Sequence, residues 1–188
     1  EDSLGNQISV PNLNISDEGL HPKNVGAFSF DGEGTPTQNI QLVTNGILTQ
    51  LLHSEATARK FGVKPTGHAG LGAKVSVSPD WLVISKSESE MDKDESLSIK
   101  NTIKEYILID ELSAIHSGVK ASQGSFSLPF DGWIVNDGKK TSIEAATVAG
   151  DILKVLSSIV KIEDEQIVTH QGISPHVWVE NMSITGEA

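Results

Sequence analysis

The sequence contains no cysteine, which excludes disulfides, thiolate metal sites and a cysteine nucleophile within it. Such a chain suits a reducing compartment, and a cytoplasmic location is the expectation. Basic residues are scarce: 14 Lys and Arg stand against 25 Asp and Glu, for a net charge of −11. Binding a phosphate backbone needs a basic surface that releases counterions, so direct nucleic-acid contact is not expected. Anionic membrane surfaces are disfavoured for the same reason. Long apolar runs are missing too. The longest, such as Tyr106 to Ile109, fall far short of the ~20 residues that a membrane-spanning helix needs. Neither a membrane span nor a signal peptide is expected.

What is there has a globular composition, 37% apolar and 21% charged, at a length that suits one compact domain burying roughly 70% of its unfolded surface. The chain begins at Glu1 without a methionine, and residues 1–24, punctuated by Gly, Pro and Asn, read as an irregular lead-in segment from a missing N-terminal region. From Val25 the pattern turns two-fold: Ala27, Ser29 and Asp31 alternate with Phe28 and Phe30, which predicts a half-buried strand. Two hairpins are signalled, by Asn45-Gly46 and by Asn136-Asp137-Gly138 between alternating runs, because these residues tolerate the positive φ of a type I′ turn. Ser54 is placed to cap a short helix that Gly62 ends. A strand is expected around Lys74 to Ser85, and a mobile, charged excursion from Lys86 to Ser96. A buried strand follows in Lys100 to Ala114.

One longer helix is predicted after Asp151, since Ile152, Val155, Leu156, Ile159 and Val160 fall at helical spacing. Two short strands close the chain. The fold class is therefore α+β: a mainly antiparallel β-sheet with hairpins and one longer helix packed on it.

Catalytic signatures are incomplete. The segment Gly67 to Lys74 is rich in glycine, but it lacks the Lys-Ser/Thr pair of a phosphate loop and the third glycine of a dinucleotide fingerprint. It reads as a loop whose glycines permit close backbone approach. The six histidines form no helical pair that would place two nitrogens on one face. His170 and His176 come closest, with Gly172 and Pro175 expected to interrupt any strand between them. Asp31 and Glu33, on one face of the predicted strand, suit either acid–base work or solvation.

Two stretches taken together resemble a known family. Ser29-Phe-Asp-Gly-Glu-Gly-Thr-Pro-Thr-Gln38 is followed by Asn45-Gly-Ile-Leu48, Ala58-Arg59 and Pro65-Thr-Gly-His-Ala69. Near the end come Gly132-Trp-Ile-Val135, Thr147-Val-Ala-Gly150 and Ile184-Thr-Gly186. In order and spacing these resemble the TldD and PmbA (TldE) family, long labelled modulators of DNA gyrase, with residues 25–188 corresponding to its C-terminal domain. The gyrase label gains nothing from so acidic a chain. The resemblance implies a zinc-dependent peptidase built as a TldD–TldE heterodimer that trims peptides or unfolded chains. In the TldD type, two histidines of a His-Glu-x-x-x-His helix upstream and a cysteine near the C-terminus hold zinc. The cysteine's place falls within Asp164 to Pro175, which has none, and His170 is the candidate substitute ligand there.

Asp2-Ser-Leu-Gly5 and Thr66-Gly-His-Ala-Gly70 resemble the TldE side, whereas Trp81 to Leu97 departs from the family in its acidity. The resemblance thus implies a subunit with no catalytic site and no cofactor of its own, zinc belonging to a TldD-type partner. Asp31, Glu33, Arg59 and His68 are the motif positions expected to line the cleft or the dimer seam, or else to shape turns. Two other readings stand beside this one. The first is a non-proteolytic binding or scaffold domain, with a homodimer of the isolated domain possible. The second is a metallohydrolase that uses His170 with upstream ligands.

Overall fold

A computed structural model describes residues 3–87 and 103–186. In chain order the elements are β1 (Leu13–Glu18), β2 (Asn39–Thr44), β3 (Ile47–Leu48), α1 (Glu55–Phe61), β4 (Ala69–Gly70), β5 (Ser76–Val77), β6 (Leu82–Lys86), β7 (Glu105–Leu112), α2 (Ile115–Gly118), β8 (Val119–Lys120), β9 (Ser125–Asn136), β10 (Lys139–Asp151), α3 (Ile152–Ser157), β11 (Ile159–Val168), β12 (Gly172–Val179) and β13 (Ser183–Thr185). Strands dominate and the helices are short, an α+β fold with mainly antiparallel pairing. The chain divides into two compact units, Glu1–Met91 with Ile162–Val177 and Asp92–Lys161 with Trp178–Ala188. Among the described residues no helix is long and apolar enough to cross a membrane.

The first unit is built on a six-stranded sheet of order β11-β12-β6-β1-β2-β3. Its hairpin forms where expected, β2 and β3 joined by Asn45 (φ 49°) and Gly46 (φ 79°). Successive positive φ values match the twist of the flanking strands, which is why Asn-Gly is favoured there. Helix α1 also forms as expected. The Ser54 hydroxyl accepts from the Thr57 N–H, the Thr57 hydroxyl accepts in return from the Ser54 N–H, and Gly62 ends the helix in the left-handed region at φ 68°.

Several expectations for this unit are corrected. The lead-in expected to be irregular contains β1, which lies inside the sheet and pairs antiparallel with both β2 and β6. Its inward positions include Leu13 and, where the pattern would place another apolar residue, Asp17, which is fully buried. The strand expected through Ala27 to Asp31 is absent. Phe28 and Phe30 are 76% and 60% exposed, and a single bridge ties Phe30 to Pro36. The Asn24 side chain captures local backbone there, accepting from the Gly26 N–H and donating to the Gly19 carbonyl, and such bonds compete with strand pairing. Asp31 and Glu33 consequently do not share a strand face. The expected strand from Lys74 to Ser85 is split into β5 and β6 by a bend at Asp80 and Trp81. Gly172 and Pro175 lie within β12, which runs parallel to β6. The charged excursion, beyond Lys86 and Ser87, lies outside the described residues.

The second unit carries the antiparallel sheet β13-β10-β9-β7, with β8 also paired to β9. The hairpin β9–β10 turns at Asp137 (φ 46°) and Gly138 (φ 81°), as its sequence predicts. Along β9, Leu128, Phe130 and Gly132 are buried and the residues between them exposed, the two-residue period of a sheet with one covered face. Leu128, Phe130, Ile143, Ala146 and Val148 form the core, with Phe126, Ile134, Met182 and Ile184 packed against it. Strand β7 is less buried than expected, Ile107 and Ile109 each being 37% exposed. The predicted longer helix stops at Ser157 after six residues, none of them buried. Asp151 caps it through the Leu153 and Lys154 N–H groups. Ile159 and Val160 then enter β11, in keeping with the preference of β-branched side chains for strands.

Candidate functional site

Within the first unit, three segments far apart in sequence meet at Asp17. The residue faces inward from β1, in register with Ile40 of β2 and Leu82 of β6. Its carboxylate caps the bend into β6: Oδ2 accepts from the Asp80 N–H at 2.8 Å and Oδ1 from the Trp81 N–H at 3.2 Å. From the loop before β4 comes His68, whose Nε2 lies 3.6 Å from Asp17 Oδ1 with both side chains fully buried. That nitrogen has no hydrogen-bond partner.

The ring orientation follows from Thr66. Its hydroxyl accepts from the His53 N–H (2.8 Å) and lies 3.2 Å from the His53 carbonyl and 3.0 Å from His68 Nδ1. The His53 carbonyl also accepts from the Thr66 N–H, so the hydroxyl either donates to Nδ1 or accepts from Nδ1–H, according to the ring's tautomer. In either tautomer Nε2 is the nitrogen that faces Asp17. Gly67 makes the approach possible, with φ at +78° and no room for a Cβ beside the Pro36 carbonyl.

Electrostatics reinforce the pairing. Burial pushes the His68 pKa down, but the adjacent Asp17 carboxylate, helped by Asp80 and Thr66, outweighs it and raises the pKa above that of free imidazole. Asp80 is also raised, first by burial of its carboxyl and then by Asp17 and Asp31, with His68 opposing. The site can therefore hold a positive charge between carboxylates. Asp17, His68 and Asp80 each offer one ligand atom, and these lie within 4.8 Å of one another.

Of the four motif residues, His68 belongs to this cluster and Asp31 bonds beside it. Asp31 Oδ1 accepts from the Glu33 and Thr35 N–H groups, and its Oδ2 accepts from the Ala69 N–H beside His68. Glu33 Oε2 accepts from the Glu55 N–H at the start of α1, and the exposed Arg59 stands 4.0 Å from Glu55 one turn on. Asp31, Glu33 and α1 are thus linked to the His68 loop. Asp31 serves as a backbone acceptor, Arg59 faces solvent, and His68 lies inside the unit instead of on a surface.

His170 is exposed and belongs to no group of three potential ligands among the described residues. His176 does not join it, its Nδ1 facing Glu163 at 3.6 Å. The chain has no cysteine, and no group of potential ligands forms around His170 among the described residues. Sequence reasoning missed Asp17 and Asp80. The alternation of Leu13, Ile15 and Asp17 and the step from Pro79-Asp80-Trp81 into an apolar run were the signals available.

Residues 1–186 match the family described as the PmbA/TldA metallopeptidase C-terminal domain. Metalloprotease PmbA of Escherichia coli is 30% identical over 99% of this chain and 38% of its own length. A metalloprotease of Synechocystis is 29% identical over 87% of this chain and 34% of its own. The chain thus spans little more than a third of these relatives. Among solved structures, a Thermotoga maritima protein named as a candidate modulator of a DNA gyrase superposes with a TM-score of 0.81 at 31% identity, covering 97% of this chain and 41% of that one. TldE from Thermococcus kodakarensis shares the fold, with a TM-score of 0.76 at 21% identity over 98% of this chain and 42% of that one.

Proposed function

Because the chain belongs to the PmbA/TldA metallopeptidase C-terminal domain family, we propose that it forms the C-terminal domain of a TldE-type subunit. This subunit lacks the catalytic zinc and pairs with a zinc-bearing, TldD-type subunit in a cytoplasmic heterodimer that cleaves peptides or unfolded chains. One observation carries this reading: the family match runs through the whole C-terminal stretch, yet that stretch has no cysteine and His170 is exposed and apart from other ligands. A pairing role has support from the first unit's surface. Val25, Phe28, Phe30 and Leu71 are 100%, 76%, 60% and 71% exposed, and apolar surface of that kind suits coverage by another protein.

The experiment is a peptidase assay on an unfolded protein substrate, with this protein alone, a TldD-type partner alone and the two mixed. Cleavage is expected in the mixture, with loss when the partner's zinc ligands are replaced. Cleavage by this protein alone would overturn the proposal.

A further inference from the structure

We propose that Asp17, His68 and Asp80 bind a divalent transition cation, zinc or manganese, at a site that joins β1, the loop before β4 and the bend into β6. The site uses none of the residues that carry the preceding proposal.

Geometry provides the first support. Hydrogen bonds from nitrogen to oxygen cluster near 2.9–3.0 Å, so 3.6 Å between His68 Nε2 and Asp17 Oδ1 is too long for one. Ligand atoms 2.0–2.2 Å from a tetrahedral zinc stand about 3.3–3.6 Å apart, and the observed separation matches that edge. Asp80 supplies a third ligand atom, all three lying within 4.8 Å.

The orphaned nitrogen is an independent observation. His68 Nε2 is fully buried, has no hydrogen-bond partner and points into the cluster. In the tautomer that donates Nδ1–H to Thr66, a neutral ring presents a lone pair to the Asp17 carboxylate, and in the other its Nε2–H points at an oxygen 3.6 Å away, too far for a hydrogen bond, so either leaves a buried polar atom unfavourably placed. A bound cation removes that conflict.

The surroundings match those of a working site. Metal-bound histidine usually donates its other N–H to an oxygen, and ligating carboxylates are themselves hydrogen-bonded. Thr66 provides the first contact, and the Asp80 and Trp81 N–H groups provide the second. Asp80 is exposed, which gives an ion a path from solvent and leaves a coordination position for water. Two carboxylates balance a double positive charge. One imidazole with two carboxylates suits zinc or manganese, whereas calcium takes six to eight oxygens.

The test is calorimetric titration of the EDTA-stripped full chain, without partner or substrate, using zinc chloride and separately manganese chloride. Cobalt(II) absorption reports the ligand geometry. Saturable binding of one ion is expected, weakened roughly 10–100-fold by Thr66→Val, weakened at least as much by Asp80→Asn, and abolished by His68→Gln. Thr66→Val and Asp80→Asn spare the buried Asp17–His68 pair, so they remain informative if His68→Gln unfolds. No saturable binding, or binding that both of these variants leave unchanged, would overturn the proposal. Peptidase activity is not read, so the result stands apart from that of the partner-mixing assay.

Discussion

Replacing Asp17 by asparagine, with EDTA present to keep metal away, is expected to destabilise the chain by about 3 kcal/mol, the cost of orphaning a buried donor together with the lost contact to His68. The carboxylate is fully buried, accepts from the Asp80 and Trp81 N–H groups and faces His68. Asparagine keeps the shape and one oxygen. Its amide NH₂ must then confront the Asp80 or the Trp81 N–H, and that backbone donor is left unsatisfied at about 1–3 kcal/mol. The remainder comes from His68, whose raised pKa depends chiefly on Asp17. Against a typical total of about 5–15 kcal/mol, such a loss is easily measured. Urea titration followed by tryptophan fluorescence suits the purpose, because Trp81 is 1% exposed and donates directly to Asp17. The same substitution in a His68→Gln background is expected to be milder, at about 2 kcal/mol, since only the backbone donors then miss the carboxylate. A loss below about 1 kcal/mol, or equal losses in both backgrounds, would refute the pairing.

Three other substitutions probe the surrounding loops. Asp31→Ala removes the acceptor for three backbone N–H groups. It is expected to lower stability by about 2–3 kcal/mol and to speed proteolysis within residues 31–36, as peptide mapping would show. Gly67→Ala places a Cβ against the Pro36 carbonyl at a left-handed φ, and a loss of about 2 kcal/mol or more in thermal unfolding is expected, the left-handed conformation alone costing about 1–2 kcal/mol. Arg59→Ala breaks only an exposed contact at 4.0 Å and is expected to leave stability within about 0.5 kcal/mol. Reduced cleavage by the partner mixture in that variant would therefore report lost contact, and unchanged cleavage would remove Arg59 from the seam.

The elements legible in the sequence are those whose determinants lie within a few residues. Asn45-Gly46 and Asp137-Gly138 set their own turns through backbone conformation. Ser54, Thr57 and Gly62 fix both ends of α1 by bonds that never leave the helix. The helix after Asp151 shows where periodicity alone is ambiguous. Ile159 and Val160 satisfy helical spacing, but they are also β-branched, and pairing within a sheet settles the choice. Phe28 and Phe30 show the converse, since alternation yields a strand only where a neighbour offers backbone groups to pair with.

The candidate site was illegible for a different reason. Asp17 bonds to Asp80 63 residues away, and in sequence it reads as one polar residue spoiling a short apolar alternation. What separates it from the other carboxylates is a balance of donors and acceptors that exists only after folding. Asp31 is matched by three backbone donors, Glu33 by one at the start of α1, and Asp17 by two. These bonds give each of the three a structural task. Around His68 Nε2 the balance fails, because a buried nitrogen with no hydrogen-bond partner, a buried carboxylate and Asp80 converge. A proton on the ring or a metal ion in the cluster restores the balance, and the two make opposite demands on Asp80. A proton shared between His68 and Asp17 needs little from that exposed side chain, whereas a metal ion needs it as a ligand. The Asp80→Asn variant therefore decides which cation the fold is built to hold.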